Sequence, residues 1–177
     1  TIEELFDLAL LLANQPVPAG DRVAILTNAG GPGIMASDAC ESHGLQVARL
    51  SPQTEAALAR FLPAEASVRN PVDMLADAQP GLYERALELL LADAGVDAVL
   101  ALFVPPVVTE ASDVAAAICR GAAGSPKPVL TCFMGVHGVP EALSSLRSGK
   151  FPSYSFPESA ARALSGAVRY GRWLARP

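Results

Sequence analysis

The sequence predicts an α/β domain with a flavodoxin-like, doubly wound, parallel five-stranded sheet in a three-layer arrangement. Apolar runs recur in "GDRVAILTN", "VDAVLALFV" and "KPVLTCFMG", with "LQVARL" a further strand, and continuous apolar strands are those of a sheet covered on both faces. Segments of helical periodicity separate them, and strands alternating with helices build parallel sheets through right-handed crossovers. The chain has 177 residues, 51% of them hydrophobic, enough for one domain with a substantial core.

Thr1 caps a first helix, Glu4 completes a capping-box pattern, and Pro16 and Pro18 end it. The run 20–28 reads as the first strand, and Gly30, Gly31 and Gly33 make the turn into a helix that reaches about Ser42. Gly44 fits a left-handed cap there. "LQVARL" is the second strand, Pro52 to Leu62 a helix, and residues 63–80 a long loop. Tyr83 to Ala92 is strongly periodic, 96–104 a buried strand, Thr109 to Ala122 a helix, and 127–135 another buried strand. Val139 to Ser148 is helical, "FPSYSF" a short edge strand, and Pro157 with Glu158 opens the closing helix. This divides the chain into a linker helix, 1–18, and the sheet domain, 19–177. Ligands of such folds approach the carboxyl ends of the strands.

The net charge of −5, with 13 scattered Lys and Arg residues, argues against a nucleic-acid partner, since nothing gathers to neutralise a phosphate backbone. Cys40, Cys119 and Cys132 lack metal or redox spacing and read as buried free thiols of a cytoplasmic protein. The longest apolar stretch, near Ala98 to Val108, is too short for a bilayer and is broken by Pro105 and Pro106. The N-terminal segment opens with acids instead of a basic region, so it is an amphipathic helix and not a signal peptide. A chain beginning inside structure without an initiator methionine reads as a piece of a longer protein.

The chemistry concentrates in "NAGGPG". Pro32 suits the first helical position, which puts Gly31 at the N-cap, where glycine offers no side-chain oxygen. The amides of Gly33, Ile34 and Met35 would then lack a partner at the positive end of the helix dipole, a vacancy that an anion fills. The spacing matches neither GxGxxG nor GxxxxGK[ST], and no lysine follows. The loop therefore suits a phosphate delivered on a tether, whose high effective concentration makes modest attraction sufficient. The other reading is that the glycines only allow close helix–strand packing. Gly33→Glu is expected to block an anion at little cost to folding.

"TNAGGPGIMASD", "NPVD", "KPVL…FMG" and "FPSYSFPESAARAL", in this order, resemble the second ligase-type flavodoxin-like domain of the ADP-forming (NDP-forming) acetyl-CoA and acyl-CoA synthetases. The loop and helix are also similar to the carboxyl-terminal domain of the succinyl-CoA synthetase β subunit. The resemblance implies a ligase that joins an acid to CoA through an acyl phosphate and a phosphohistidine cradled by two helix N-termini, one of them from this chain. The phosphorylated histidine would lie outside the sequence, in an "SHTGA"-like segment. Asn28, Gly30, Gly31, Gly33, Ile34 and Met35 would form the phosphate site, with Asn70 and Asp73 on its rim. ATP or ADP, Mg²⁺ and CoA would bind elsewhere. The partners would be CoA-binding, phosphohistidine-bearing and ATP-grasp domains or subunits, and the isolated fragment would be inactive, with no cofactor or metal of its own. The alternative is a degenerate regulatory module fused to a protein lysine acetyltransferase.

Other residues carry plainer readings. His43 precedes Gly44 and faces terminal carbonyls; His137 lies at the functional edge as a solvated loop residue or a phosphate contact; Asp38 complements the helix dipole or faces solvent. Asn70 and Asp73 turn toward the glycines or form an Asx turn. Pro105 and Pro106 shape the same rim, and Tyr170, Trp173 and Leu174 suit core or interdomain contacts. A phosphorelay receiver is excluded because no acids cluster after the first strand and no aspartate ends the third. A sensor without chemistry would be distinguished by ligand binding to the isolated chain.

Overall fold

The computed structural model describes residues 1–106, 109–135 and 139–176. The strands are β1 (Arg22–Thr27), β2 (Gln46–Val47), β3 (Val72–Asp73), β4 (Ala98–Phe103), β5 (Val129–Phe133) and β6 (Ser153–Tyr154). The helices are α1 (Ile2–Asn14), α2 (Gly30–Ser42), α3 (Pro52–Leu58), α4 (Pro80–Ala92), α5 (Ala111–Gly121), α6 (Val139–Ser148) and α7 (Pro157–Leu174). The strands pair in parallel in the order β2-β1-β4-β5-β6, the flavodoxin-like order, with β3 added beside β1.

Alternate side chains of each strand feed two cores. Ala24, Leu26, Val99, Ala101 and Phe103 face α3 to α6, while Val23, Ile25, Leu100, Leu102 and Cys132 face α1, α2 and α7. The apolar runs have no polar alternation because neither face meets water. Thr1 accepts from the Glu4 N–H and makes the expected capping box, and Gly44 takes φ +74° after the α2 C-cap, His43. α1 packs into the core: Leu11 is fully buried, and Gln15 accepts from the Val129 N–H while donating to the Lys150 carbonyl. Leu8 lies against Gly166 of α7, at 3.2 Å from where a Cβ would stand.

The long loop contains more than turns. Residues 72 and 73 form β3, in register with Leu26 and Thr27, so the sheet has a sixth strand beyond the five expected. Two residues are too few for sequence periodicity to reveal. β2 shrinks to two residues for a related reason: β1 pairs with β2 at Arg22–Val23 and with β3 at Leu26–Thr27, on the same side. Tyr170, Trp173 and Leu174 are exposed and do not enter the core; the rings of Tyr170 and Trp173 stack with centroids 6.0 Å apart. Cys40 and Cys132 are buried and Cys119 half-buried, all free; burial pushes the Cys40 thiol up to about 12.

At the opposite end of the sheet, Asp97 receives the Arg22 guanidinium through Nε at 2.8 Å and Nη2 at 2.7 Å, and the Arg22 N–H at 3.0 Å. The Arg22 side chain holds the Asp97 carboxyl below its ordinary value against the opposing effect of burial. A carboxyl with a depressed folded-state value contributes stability above its unfolded pKa, about 3.9, and loses it as pH falls through the folded value. Thermal unfolding of the wild type should therefore fall more steeply below about pH 4 than that of Asp97→Asn. Parallel curves would remove Asp97 from the acid response.

Candidate functional site

The carboxyl edge of the sheet gathers the end of β1, the start of α2, β3 and the segment after β4. Thr27 sets the geometry. Its buried hydroxyl takes the Ala29 N–H at 3.0 Å and donates to the Ala29 carbonyl at 3.0 Å. Ala29 is held extended, at φ −149° and ψ 121°, as the α2 N-cap. The helix consequently begins at Gly30, two residues before the start that Pro32 implied, because a local hydroxyl turn overrides the proline preference.

That shift relocates the vacant donors. The Gly33 N–H is paired with the Ala29 carbonyl at 3.2 Å, and the amides of Ile34 and Met35 fall within the i to i−4 ladder of a helix starting at Gly30. Pro32 has no N–H. Gly30 and Gly31 carry the two amides without a partner among the described residues, and no side chain caps the helix. Both glycines are exposed.

The glycines divide between the two readings. A Cβ at Gly33, which is buried, would lie 3.2 Å from the Thr27 methyl and 3.5 Å from Pro71, so this glycine serves close packing. A Cβ at Gly30 would lie 3.1 Å from Asp73 Oδ2; one at Gly31 would meet nothing within 4 Å. Gly33→Glu would therefore crowd the Thr27 methyl as well as an anion, so folding and binding are not separable at this position. Ile34 and Met35 expose their side chains one turn below the open amides.

Asn28 does not point at an anion. It is buried, and its side chain donates to the Val104 carbonyl and accepts from the Val104 N–H, each at 2.9 Å. This reciprocal pair ties the turn after β1 to the end of β4. Beneath it the buried Tyr83 hydroxyl donates to the Leu102 carbonyl at 2.9 Å; burial, with the Asp73 carboxylate nearby, pushes its pKa well up and keeps it neutral.

Asn70 is likewise structural. Its oxygen accepts from the Ile25 N–H and its nitrogen donates to the Val23 and Ala48 carbonyls, all at 2.8 Å. It fills the gap where β1 exchanges β2 for β3, and with its oxygen on the Ile25 N–H it makes no Asx turn. In Asp73, Oδ1 accepts from the Leu75 N–H at 3.0 Å, an Asx turn, while Oδ2 lies 3.1 Å from where a Cβ of Gly30 would stand. Pro105 packs on Gly135, 3.1 Å from its would-be Cβ, joining the segments after β4 and β5. His43 is exposed at the far end of α2, where its backbone N–H bonds the Ala39 carbonyl and its carbonyl accepts from Ser165. Asp38 is exposed on α2. His137 lies outside the described residues.

A family model described as Ligase-CoA domain matches residues 23–176. The chain belongs to this family. It is 40% identical over 176 residues to acetate–CoA ligase (ADP-forming) I of Archaeoglobus fulgidus, covering 99% of this chain and 24% of that protein. It is 38% identical to the alpha subunit of acetate–CoA ligase (ADP-forming) II of Pyrococcus furiosus, covering 97% and 38%. A solved structure from Pyrococcus horikoshii OT3 superposes with a TM-score of 0.94 at 37% identity, over 99% of this chain and 41% of that one. The dinucleotide-forming acetyl-coenzyme A synthetase 1 of Ca. Korarchaeum cryptofilum, solved with phosphate and ADP, gives 0.89 at 30%, over 98% and 38%. This Ligase-CoA domain thus spans between a quarter and about two-fifths of these relatives. No described helix is long and apolar enough to cross a membrane.

Proposed function

We propose that the chain works as one domain of an ADP-forming acid–CoA ligase, and that the start of α2 holds a phosphohistidine presented by another domain. The observation that carries this reading is the pair of open amides at Gly30 and Gly31 on an uncapped helix at the carboxyl edge of the sheet. Two N–H donors at a helix N-terminus suit a phosphoryl group, each charged hydrogen bond contributing about 1.5–3 kcal/mol. The Asp73 carboxylate beside Gly30 lowers the local potential, which disfavours free phosphate and leaves a tethered one, at high effective concentration, as the better ligand. The exposed side chains of Ile34 and Met35 offer an apolar surface for the imidazole that carries the phosphate.

Nucleotide, Mg²⁺ and CoA belong, in this reading, to the CoA-binding, phosphohistidine-bearing and ATP-grasp domains or subunits. Among the described residues no three His, Cys, Asp or Glu side chains gather as metal ligands. The Archaeoglobus, Pyrococcus furiosus and Korarchaeum relatives are named as acid–CoA ligases or synthetases, and none of these observations favours the acetyltransferase-fused module.

Titrating the ¹⁵N-labelled chain with a phosphohistidine peptide into the millimolar range that a tether supplies should move the Gly30 and Gly31 amide resonances, and move them less with the unphosphorylated peptide. The same sample supplied with ATP, CoA and acetate should form no acyl-CoA and retain no γ-phosphate label. Silent glycine amides would remove the anion site; stable labelling of His43 or His137 would overturn the division of labour between domains.

A further inference from the structure

α1 buries one face and leaves another apolar face open. Leu8, Leu11 and Leu12 pack into the core shared with α7, whereas Ile2 is 74% exposed, Leu5 64%, Phe6 66% and Leu10 40%. Ile2, Phe6 and Leu10 are spaced i, i+4, i+8, and Leu5 stands beside them at i+3, so the four form one stripe. The stripe continues through Asn14 into a cleft of about 120 Å³ between α1, the end of α6 and β6. Leu143 and Phe151 line this cleft, Arg147 and Lys150 stand on its rim, and the Ser153 hydroxyl is buried without a partner among the described residues.

Single exposed apolar side chains are ordinary, but a contiguous stripe of this size on one helix marks a contact surface. The geometry points to a docking site for another domain of the same ligase polypeptide, resting on the reading above that this chain is one domain of a longer enzyme. The occupant is a surface with an apolar face along α1 and a carboxylate at the Arg147–Lys150 end. Two observations favour a domain in cis over a second copy. The alignments with the Archaeoglobus and Pyrococcus proteins take in 97–99% of this chain, α1 included, yet reach only 24% and 38% of those proteins, leaving most of each relative to supply the cover. Each copy of this chain carries a net charge of −5, which opposes association of like with like.

The test uses thiol accessibility. Cys40 and Cys132 are buried, and Cys119→Ser removes the half-buried thiol. Phe6→Cys then places one reactive thiol on the stripe, and Gln53→Cys, on exposed α3 across the sheet, serves as the reference. In the full-length polypeptide the Phe6→Cys thiol should react at least about tenfold more slowly than in the isolated chain, with the Gln53→Cys rates equal, because interface cores exclude solvent. Equal Phe6→Cys rates in both would overturn the proposal. Protection that appears in the isolated chain as its concentration rises would also overturn it, in favour of a second copy. Phosphohistidine formation in the same full-length proteins reports separately on the parent reading: an accessible Phe6→Cys thiol in an enzyme that still phosphorylates defeats the docking alone.

Discussion

The Gly31→Glu form of the full-length enzyme is expected to fold like the wild type and to accumulate almost no phosphohistidine. A Cβ at position 31 meets no atom within 4 Å, so the side chain enters open solvent. Replacing an exposed helical glycine gains about 0.5–1 kcal/mol, and a carboxylate in the first turn adds roughly 0.3–1 kcal/mol through the dipole. Melting should be unchanged or slightly higher. The same carboxylate stands about 4 Å from the expected phosphoryl group and opposes it by roughly 4 kcal/mol at an effective dielectric near 20, a loss of about 10³-fold. Gly31→Ala, which keeps the amide and adds no charge, should phosphorylate normally. A Gly31→Glu enzyme that phosphorylates from ATP or acyl phosphate like the wild type would reduce the loop to a packing device. The substitution at Gly33 could not make this distinction, since its Cβ would stand only 3.2 Å from the Thr27 methyl whatever the function.

Asn70→Ala should be among the most destabilising single changes in the chain. It strands the Ile25 N–H and the Ala48 carbonyl, which the Asn70 amide now satisfies at 2.8 Å each, and takes one of two bonds from the Val23 carbonyl, which still accepts from the Ala48 N–H at 2.8 Å. Buried orphans cost about 1–3 kcal/mol apiece, so a loss of roughly 2–6 kcal/mol is expected from a typical total of about 5–15. Melting should drop by about 5 °C or more. Asn70→Asp is the sharper comparison, because it keeps the shape and the acceptor for Ile25 but turns an oxygen toward two carbonyls. It should be as damaging as alanine. A mild Asn70→Asp phenotype confined to activity would return Asn70 to the rim of the phosphate site.

These two residues also mark where sequence reading stops. Asn70 lies in "NPVD", and its type and its proline neighbour both speak of a turn; what uses its amide is the backbone of β1 and of the segment after β2, 22 to 47 residues away. Asn28 has the same history, its partner Val104 being 76 residues distant. An amide side chain carries two donors and an acceptor without direction, and only the packed sheet supplies the groups they meet.

What the sequence determined by itself was local or repeated. The Thr1–Glu4 capping box, the left-handed Gly44, the proline-led start of α7 and the bounds of α6 all depend on residues within four positions of one another. The apolar runs of β1, β4 and β5 reported strands covered on both faces, because burial is summed over many residues and survives errors at any one, whereas "LQVARL" yields only the two-residue β2 with Gln46 exposed. The ordered motifs from "TNAGGPGIMASD" to "FPSYSFPESAARAL" likewise carried the family. The tertiary structure alone decided that Ala29 caps α2, that the open amides are those of Gly30 and Gly31, and that β3 joins the sheet. It also decided that Gly33 packs while Gly31 stays open. Each of these turns on one hydrogen bond or one contact of a few ångströms between groups that the chain brings together only after the layers have closed, and no residue's own preference is large enough to fix it beforehand.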